Sequence, residues 1–422
     1  DQQIIISTQS SSIGNSNDVL VDLKKLDIGD IVPFVIRSPR FDGLMTGHLK
    51  INDPFGDMTV AFVTQIDQFR FENDSIGILK TSGSYSLATG EIIANASSNN
   101  SQYNFIADVT YKIKDSTADQ LNGSLNLDRS NIHFLQKYLN TIFTGLEGYA
   151  TGQLNISGRG SDPKVTGSVA LNDASLTVNY TRCKYFFNNN SIVKFNKDEI
   201  DFGTLKIRDT LNNSATISGK LYHTFFDNFY FNDLHFKTDR RNGIPGKFLL
   251  INTTSKDNKE FYGHVIGDAD MQLDGPISNM RMNITGQPTD SSHIYLPTGD
   301  VAETGKINYI EFIKFAREMK TDFTVREQAN IKVNMEITAN PFAQIDVILD
   351  ETTGDNIKAK GSGKLNINVG TKETLTIRGR YDVEEGQYTF NFQTFLKTPF
   401  ALQSGFIEWQ GDPYLASLNI DA

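Results

Sequence analysis

The chain has 422 residues, a formal net charge of −10 and 38% hydrophobic residues. An acidic balance of this kind lacks the basic footprint that nucleic acid requires and has no general attraction for anionic lipid surfaces. A single cysteine, Cys183, excludes an intrachain disulfide, and no apolar run approaches the ~18–20 residues of a membrane-spanning helix. Gly 33 against Pro 11 fits many tight turns, and Phe 29 and Tyr 15 against Trp 1 fit strand-rich packing. The chain starts abruptly at Asp1 with no leader, so it reads as part of a longer polypeptide.

Gln2 to Ser7 reads as a short apolar strand, and Thr8 to Asp18 as a Ser/Asn-rich loop. Val19 to Leu26 and Ile31 to Ile36 read as further strands. Thr46-Gly-His-Leu-Lys-Ile51 then introduces a phrase: Gly, any residue, apolar, any residue, apolar. It recurs at Gly123-Ser-Leu-Asn-Leu127, Gly152-Gln-Leu-Asn-Ile156, Gly167-Ser-Val-Ala-Leu171 and Gly363-Lys-Leu-Asn-Ile367. The unequal intervals exclude a solenoid of fixed period. Each copy predicts a Gly bend followed by a strand with one apolar face.

Ser130 to Leu146 departs from this style. Ile132, Leu135, Tyr138, Leu139, Ile142, Phe143 and Leu146 recur every three or four residues, which predicts an amphipathic helix capped by Ser130 and stopped at Gly145 or Gly148. Its expected role is to cover the apolar face of neighbouring strands; a plug at one end of a groove is the sharper alternative. Strands resume from Gly148 to Thr238, with a turn at Gly158 to Pro163 and clean alternation from Val165 to Val178. The aromatic cluster from Phe225 to Phe236 reads as core, and is the only foothold for a glycan-binding surface. Gly263 to Gly286 is strand again. Tyr309 to Met319 fits a short helix through Ile310, Ile313 and Ala316, the favoured reading, or an alternating strand through Tyr309, Glu311, Ile313 and Phe315; Ile331 to Ile337 and Ile345 to Leu349 read as strands. The expected organisation is strand repeats over 1–129, a helix over 130–147, strand repeats over 148–305 and a terminal module over 306–422, all in one continuous sheet.

The residues spell no catalytic constellation. The six histidines show no metal-ligand spacing, so no metal and no cofactor is expected. Asp268, Asp270 and Asp274-Gly275 resemble a calcium loop only faintly, because the third Asp comes late and the segment alternates like a strand. Gly361-Ser-Gly-Lys364 lacks the upstream Gly and following Ser/Thr of a phosphate loop. Glu384-Glu385 beside Gly386 reads as a charged turn. The protein is not expected to be an enzyme.

The terminal sixty residues alternate most regularly. Leu365, Ile367 and Val369 share one face, then Leu375 and Ile377, then Tyr388, Phe390 and Phe392. Period two means strands wet on one side and apolar on the other. Three architectures cover such a face: a sandwich of two sheets, a barrel whose apolar side meets lipid, or a sheet folded into an open trough. Variable strand lengths and the lack of recurring aromatic girdles speak against the membrane barrel. Alternation alone does not separate sandwich from trough.

A set of ordered phrases carries a resemblance. Thr353-Gly354-Asp355, Gly361-Ser-Gly-Lys-Leu-Asn-Ile367, Gly379-Arg-Tyr381, Gly386-Gln-Tyr-Thr-Phe390, Phe400, Gly405-Phe-Ile-Glu-Trp409, Gly411-Asp-Pro413 and Leu418-Asn-Ile-Asp-Ala422 stand in order. Together they resemble the C-terminal domain of the TamB family, envelope proteins of diderm bacteria. The Asn, Lys and Tyr richness points to a Bacteroidota-like member. The resemblance implies an all-β, elongated, curved sheet trough (a β-taco) with an apolar groove, of roughly 25–35 strands at typical strand lengths. It implies a periplasmic bridge that shelters phospholipid acyl chains between inner and outer membranes, with an inner-membrane anchor outside these residues. The alternative it implies is a periplasmic scaffold for outer-membrane protein assembly that docks an Omp85-family, TamA-like barrel. The in-phase residues that would line the groove are Val333, Met335, Ile337, Ile345, Val347, Leu349, Leu365, Ile367, Val369, Leu375, Ile377, Tyr388, Phe390, Phe392, Phe400, Leu402, Ile407, Trp409, Leu418 and Ile420.

Overall fold

The computed structural model describes residues 2–10, 17–34, 40–72, 74–115, 117, 120–140, 142–224, 227–259, 261–297, 330–350, 354–392 and 396–421. The expected helix at Tyr309 to Met319 and most of the expected loop at Thr8 to Asp18 lie outside them. The described residues are all-β, with 26 strands, a few 3₁₀ turns and one α-helical turn. They form two compact units. The first takes in Asp1–Asn179, Lys184–Thr210 and Thr216–Leu234; the second takes in Tyr180–Cys183, Leu211–Ala215 and His235–Ala422.

The first unit is an antiparallel meander. Its strands are β1 (Gln3–Gln9), β2 (Asp18–Asp27), β3 (Phe41–Asn52), β4 (Thr59–Phe71), β5 (Asp74–Ser86), β6 (Glu91–Asn99), β7 (Asn104–Lys112), β8 (Leu121–Asn131), β9 (Phe143–Arg159) and β10 (Asp162–Val178), each paired with the next. β11 (Lys184–Phe187) and β12 (Ser191–Lys197) both pair with β10 and with β13 (Glu199–Arg208). Short connections between consecutive strands favour this order. β14 (Ser214–Thr224) and β15 (Asp227–Thr238) contribute residues to both units.

The repeated glycines lie inside strands, not at bends between them. Gly123 sits between Val109 and Ile156, Gly152 between Leu127 and Val169, Gly167 between Leu154 and Phe195, and Gly363 between Ala339 and Tyr381. Glycine is required by close approach. A Cβ at Gly167 would stand 2.3 Å from the Gln153 carbonyl oxygen, and one at Gly363 would stand 2.2 Å from that of Arg380. The missing side chain also leaves room on the apolar face for the larger cross-strand neighbour.

Two further expectations change here. The strand expected over Ile31 to Ile36 is not formed in its described part: 3₁₀ turns occupy Ile28–Asp30 and Val32–Phe34, and residues 35 and 36 lie outside the described residues. Asp27 accepts from the Gly29 amide at 2.9 Å, and Pro33 has no N–H to give a ladder. The helix expected over Ser130 to Leu146 shrinks to a 3₁₀ turn at His133–Leu135 and a single turn, α1 (Gln136–Leu139). Ser130 lies in β8 and donates to the Asn104 carbonyl at 2.7 Å instead of capping a helix, and Gly145 lies in β9. Ladder pairing between β8 and β9 reaches as far as Asn131 and Tyr149, and it overrides the helical period at both ends.

The second unit contains β16 (Phe248–Thr253), β17 (Tyr262–Pro276), β18 (Met280–Pro288), β19 (Ser292–Pro297), β20 (Ile331–Ala339), β21 (Ala343–Asp350), β22 (Asp355–Gly370), β23 (Thr376–Phe392), β24 (Leu396–Leu402), β25 (Ser404–Gly411) and β26 (Ser417–Asp421). β18 pairs with β20 and β19 with β21 in parallel; the other ladders of this unit between β16 and β26 are antiparallel among the described residues. β22 is the spine: β20 and β21 pair along one side of it and β23 along the other.

Candidate functional site: an apolar sheet face

Directly opposed residues in neighbouring strands share a face, so the register assigns every side chain to one side. Ile367 lies between Met335 and Ile377, and Leu365 between Ile337 and Gly379, which itself faces Trp409. Val369 faces Val333. Ile357 lies between Val347 and Tyr388, which faces Phe400. Ile345 faces Ala359, which faces Gly386, which faces Leu402. Gly363 faces Tyr381, then come Ile407 and Leu418; Val383 leads through Gly405 to Ile420. One apolar face therefore runs in register from β20 to β26.

Burial divides this face into a closed centre and an open rim. Val333, Ile345, Val347, Leu365, Val369, Ile377, Leu402, Ile407 and Trp409 are buried, with Ile377 and Ile407 each 1% exposed. Leu349, Ile367, Leu375, Tyr388 and Ile420 pack against the same cluster as partly buried residues, and Met335 and Ile337 are half-buried beside it. Phe390, Phe400 and Leu418 are 39%, 42% and 48% exposed. Phe392 pairs with Leu396, and its side chain lies outside the described residues. Removing a large apolar side chain from water is worth about 1.5–3 kcal/mol, so the closed centre is a substantial source of stability for the unit.

Sequence reading missed Ile357, Ala359, Tyr381 and Val383, all buried in this cluster. The signal was present: Ile357 and Ala359 extend the odd phase of Gly361, Gly363 and Leu365 upstream, and Tyr381 and Val383 extend that of Ile377 downstream. Burial also pushes the Tyr381 phenol far above its usual range, with the Glu384 charge adding to it, so the ring stays neutral.

The stretch read as a charged turn at Glu384-Glu385 is a β-bulge in the middle of β23. Lys360 pairs with Glu385, but the next residue, Gly361, pairs with Val383. The extra residue moves the apolar phase of β23 from odd (Ile377, Tyr381, Val383) to even (Tyr388, Phe390) without changing face. The bulge carboxylates serve the polar side: Ser362 donates to Glu384 at 3.0 Å, and Lys360 pairs with Glu385 at 3.2 Å. Arg380 bridges to Asp382 at 2.7 Å and lies 3.8 Å over the Phe406 ring.

The faint calcium loop is also resolved as strand. Asp268 and Asp270 lie in β17, where cationic and hydroxyl side chains of this chain hold them. Asp268 is 2% exposed and meets Arg240 at 2.7 Å, the Thr238 hydroxyl at 2.5 Å and the Gly246 amide at 3.0 Å. Burial alone would raise its pKa, but these donors outweigh that and hold it below the usual carboxylate range. Asp270 pairs with His235 and with Lys237, the latter at 2.9 Å. No group of three or more His, Cys, Asp or Glu residues is placed to hold a metal among the described residues. No described helix is long and apolar enough to cross a membrane. In the aromatic cluster, Phe225 and Phe226 lie outside the described residues; among the described ones Phe229, Phe231 and Phe236 are buried as core and Tyr230, at 43%, is exposed.

No curated protein and no solved structure matches the chain. A model of the TamB C-terminal domain matches residues 203–422, which include every strand from β14 to β26 and the whole apolar face described above. The chain belongs to the TamB family of the translocation and assembly module, which acts in outer-membrane biogenesis.

Proposed function

We propose that this chain is part of a periplasm-spanning bridge that shelters phospholipid acyl chains as they pass between the inner and outer membranes, folded as an open trough. The observation that carries this reading is the single apolar face, in register from β20 to β26, with charged and amide side chains on its reverse. Each methylene moved from water onto such a face gains about 0.8 kcal/mol. The centre around Ile377, Tyr381, Ile407 and Trp409 is filled by its own side chains. An acyl chain therefore meets the rim residues Phe390, Phe400 and Leu418 first and spreads along the half-buried Met335, Ile337, Ile367 and Tyr388. Charged head groups stay in water at the edge. The role needs no bond chemistry and no cofactor. The family's periplasmic setting, with an inner-membrane anchor outside these residues, fits it.

One observation favours a second role beside the first. β26 is a short strand with exposed side chains apart from the half-buried Ile420, and among the described residues its only ladder is to β25. An uncovered edge offers backbone donors and acceptors to another strand. This supports docking of an Omp85-family, TamA-like barrel at the C-terminal edge. One experiment separates the roles. Phe390→Asp/Phe400→Asp, both already exposed, should leave the melting temperature near the parent's and weaken binding of a fluorescent phospholipid by about tenfold. Removal of 417–422 should abolish capture of the barrel and spare lipid binding. Lipid binding unchanged in the double Asp variant would refute the bridge.

A further inference from the structure

β4 and β8 run in the same direction within the first unit. The turn after β4 and the connection after β8 therefore lie along the same edge of the sheet, four strand spacings apart, or about 19 Å. Nonetheless they touch. Phe134 meets Phe71 edge-on with ring centroids 6.1 Å apart, and Lys137 forms an ion pair with Glu72, whose side chain is only 12% exposed.

The segment from Ile132 to Leu139 makes this reach, and its two sides are held differently. One side is tied to β9 by backbone and amide bonds. The Ile132 amide donates to the Gly148 carbonyl at 3.0 Å. The Gln136 side chain donates to the Phe143 carbonyl and accepts from the Leu146 amide, both at 2.8 Å. The other side is latched to the β4–β5 turn by the Phe134 ring and the Lys137 ion pair. Between them Ile132, Leu135 and Leu139 pack on the apolar cluster of β9, β10, β12 and β13, while Phe134 packs on the cluster of Phe41, Phe69, Phe71 and Tyr103. The segment covers the apolar face with its own side chains and adds no strand to the ladder. Lifting its latched side separates an aromatic contact and an ion pair and leaves the sheet intact.

We propose that Ile132–Leu139 is a hinged cover over the apolar face of the first unit, fixed at β9 through Gln136 and latched to Glu72 and Phe71, and that an acyl chain enters this part of the face by replacing it. The proposal rests on the acyl-sheltering reading above. In the closed position Leu135 and Phe134 occupy the place of methylene groups, so ligand and cover compete for the same apolar surface.

The test joins Glu72→Cys to Lys137→Cys with a cleavable bis-maleimide; Cys183, the native thiol, is 0% exposed and does not compete. The probe is a diazirine-bearing palmitate, with photo-adducts mapped by mass spectrometry. The bridged protein should lose about tenfold of its adducts on Leu79, Phe105 and Leu125, and cleavage of the bridge should restore them. Adducts at Phe390 and Phe400 in the second unit should not change. Glu72→Gln, which loosens the latch without a bridge, should raise first-unit labelling two- to threefold, by roughly the loss of an ion pair. Equal first-unit labelling with and without the bridge would overturn the cover and leave the acyl-sheltering reading standing. A parent protein that takes no adduct in either unit would overturn both.

Discussion

Asp268 and Tyr381 illustrate how the single residues of this sheet are made safe. Asp268 is a buried carboxylate on β17, kept ionised by Arg240, Thr238 and the Gly246 amide. Its folded pKa lies below the usual 3.8, so the unfolded chain binds its proton more readily. The stability it contributes is then fully present above the unfolded value and is lost as the pH falls through the lower folded value. Asp268→Asn should cost about 1–3 kcal/mol at pH 7, because the Arg240 guanidinium and the Gly246 amide lose an ionic acceptor. The difference in melting temperature between parent and variant should narrow below pH 4; a constant gap across that range would contradict the assignment. Tyr381 shows the opposite device, an uncharged ring 1% exposed beside Gly363, whose missing side chain gives it room. Neither arrangement could be read from composition. The sequence marks Asp268 as an acid in an alternating strand and Gly363 as the start of a repeated phrase, but Tyr381 is brought to Gly363 by strand register and Arg240 reaches Asp268 from the segment that follows β15.

At the level of the element, β23 carries the most information. Its bulge at Glu384-Glu385 keeps both halves of a seventeen-residue strand facing the same way. Deletion of Glu385 should turn Tyr388 and Phe390 to the polar side and Gln387 and Thr389 to the apolar side. The expected outcome is a large fall in melting temperature with loss of soluble protein, against a near-neutral Glu385→Gln. A deletion as stable as the parent would show that the phase change has no structural role. Alternation made the strands and their apolar sides legible, and nearly all the in-phase residues named from sequence lie on one face. The phase jump between Ile377 and Tyr388 was also visible, yet a turn and a bulge have the same local signature of charged residues before Gly386. Pairing on both sides of β23 selects the bulge. The region from Ser130 to Leu146 failed for a related reason. Its spacing is truly helical through Ile132, Leu135 and Leu139, but the ladder between β8 and β9 gains more hydrogen-bonded contact than a longer helix would, so only the connection remains helical.

At the level of the whole molecule, each unit presents apolar side chains in register and protects them in a different way. In the first unit the Ile132–Leu139 segment lies on them; in the second they fill the centre and leave Phe390, Phe400 and Leu418 at the rim. All-β architecture was legible because period two extends over most of the chain. Which apolar residues are covered was not, since alternation reports the face of a side chain and not what lies over it. The parallel pairing of β18 with β20 was equally hidden, because nothing in the two strands distinguishes parallel from antiparallel neighbours.

The most direct measurement is native mass spectrometry of the chain purified without harsh detergent, with extraction and identification of any bound lipid. An acyl-sheltering face predicts phospholipid masses that copurify with the parent and fall away in a folded Phe390→Asp/Phe400→Asp protein. A parent that is lipid-free under those conditions, and remains so when offered phospholipid vesicles, would contradict the central claim and leave the family's assembly role, through the β26 edge, as the account of this chain.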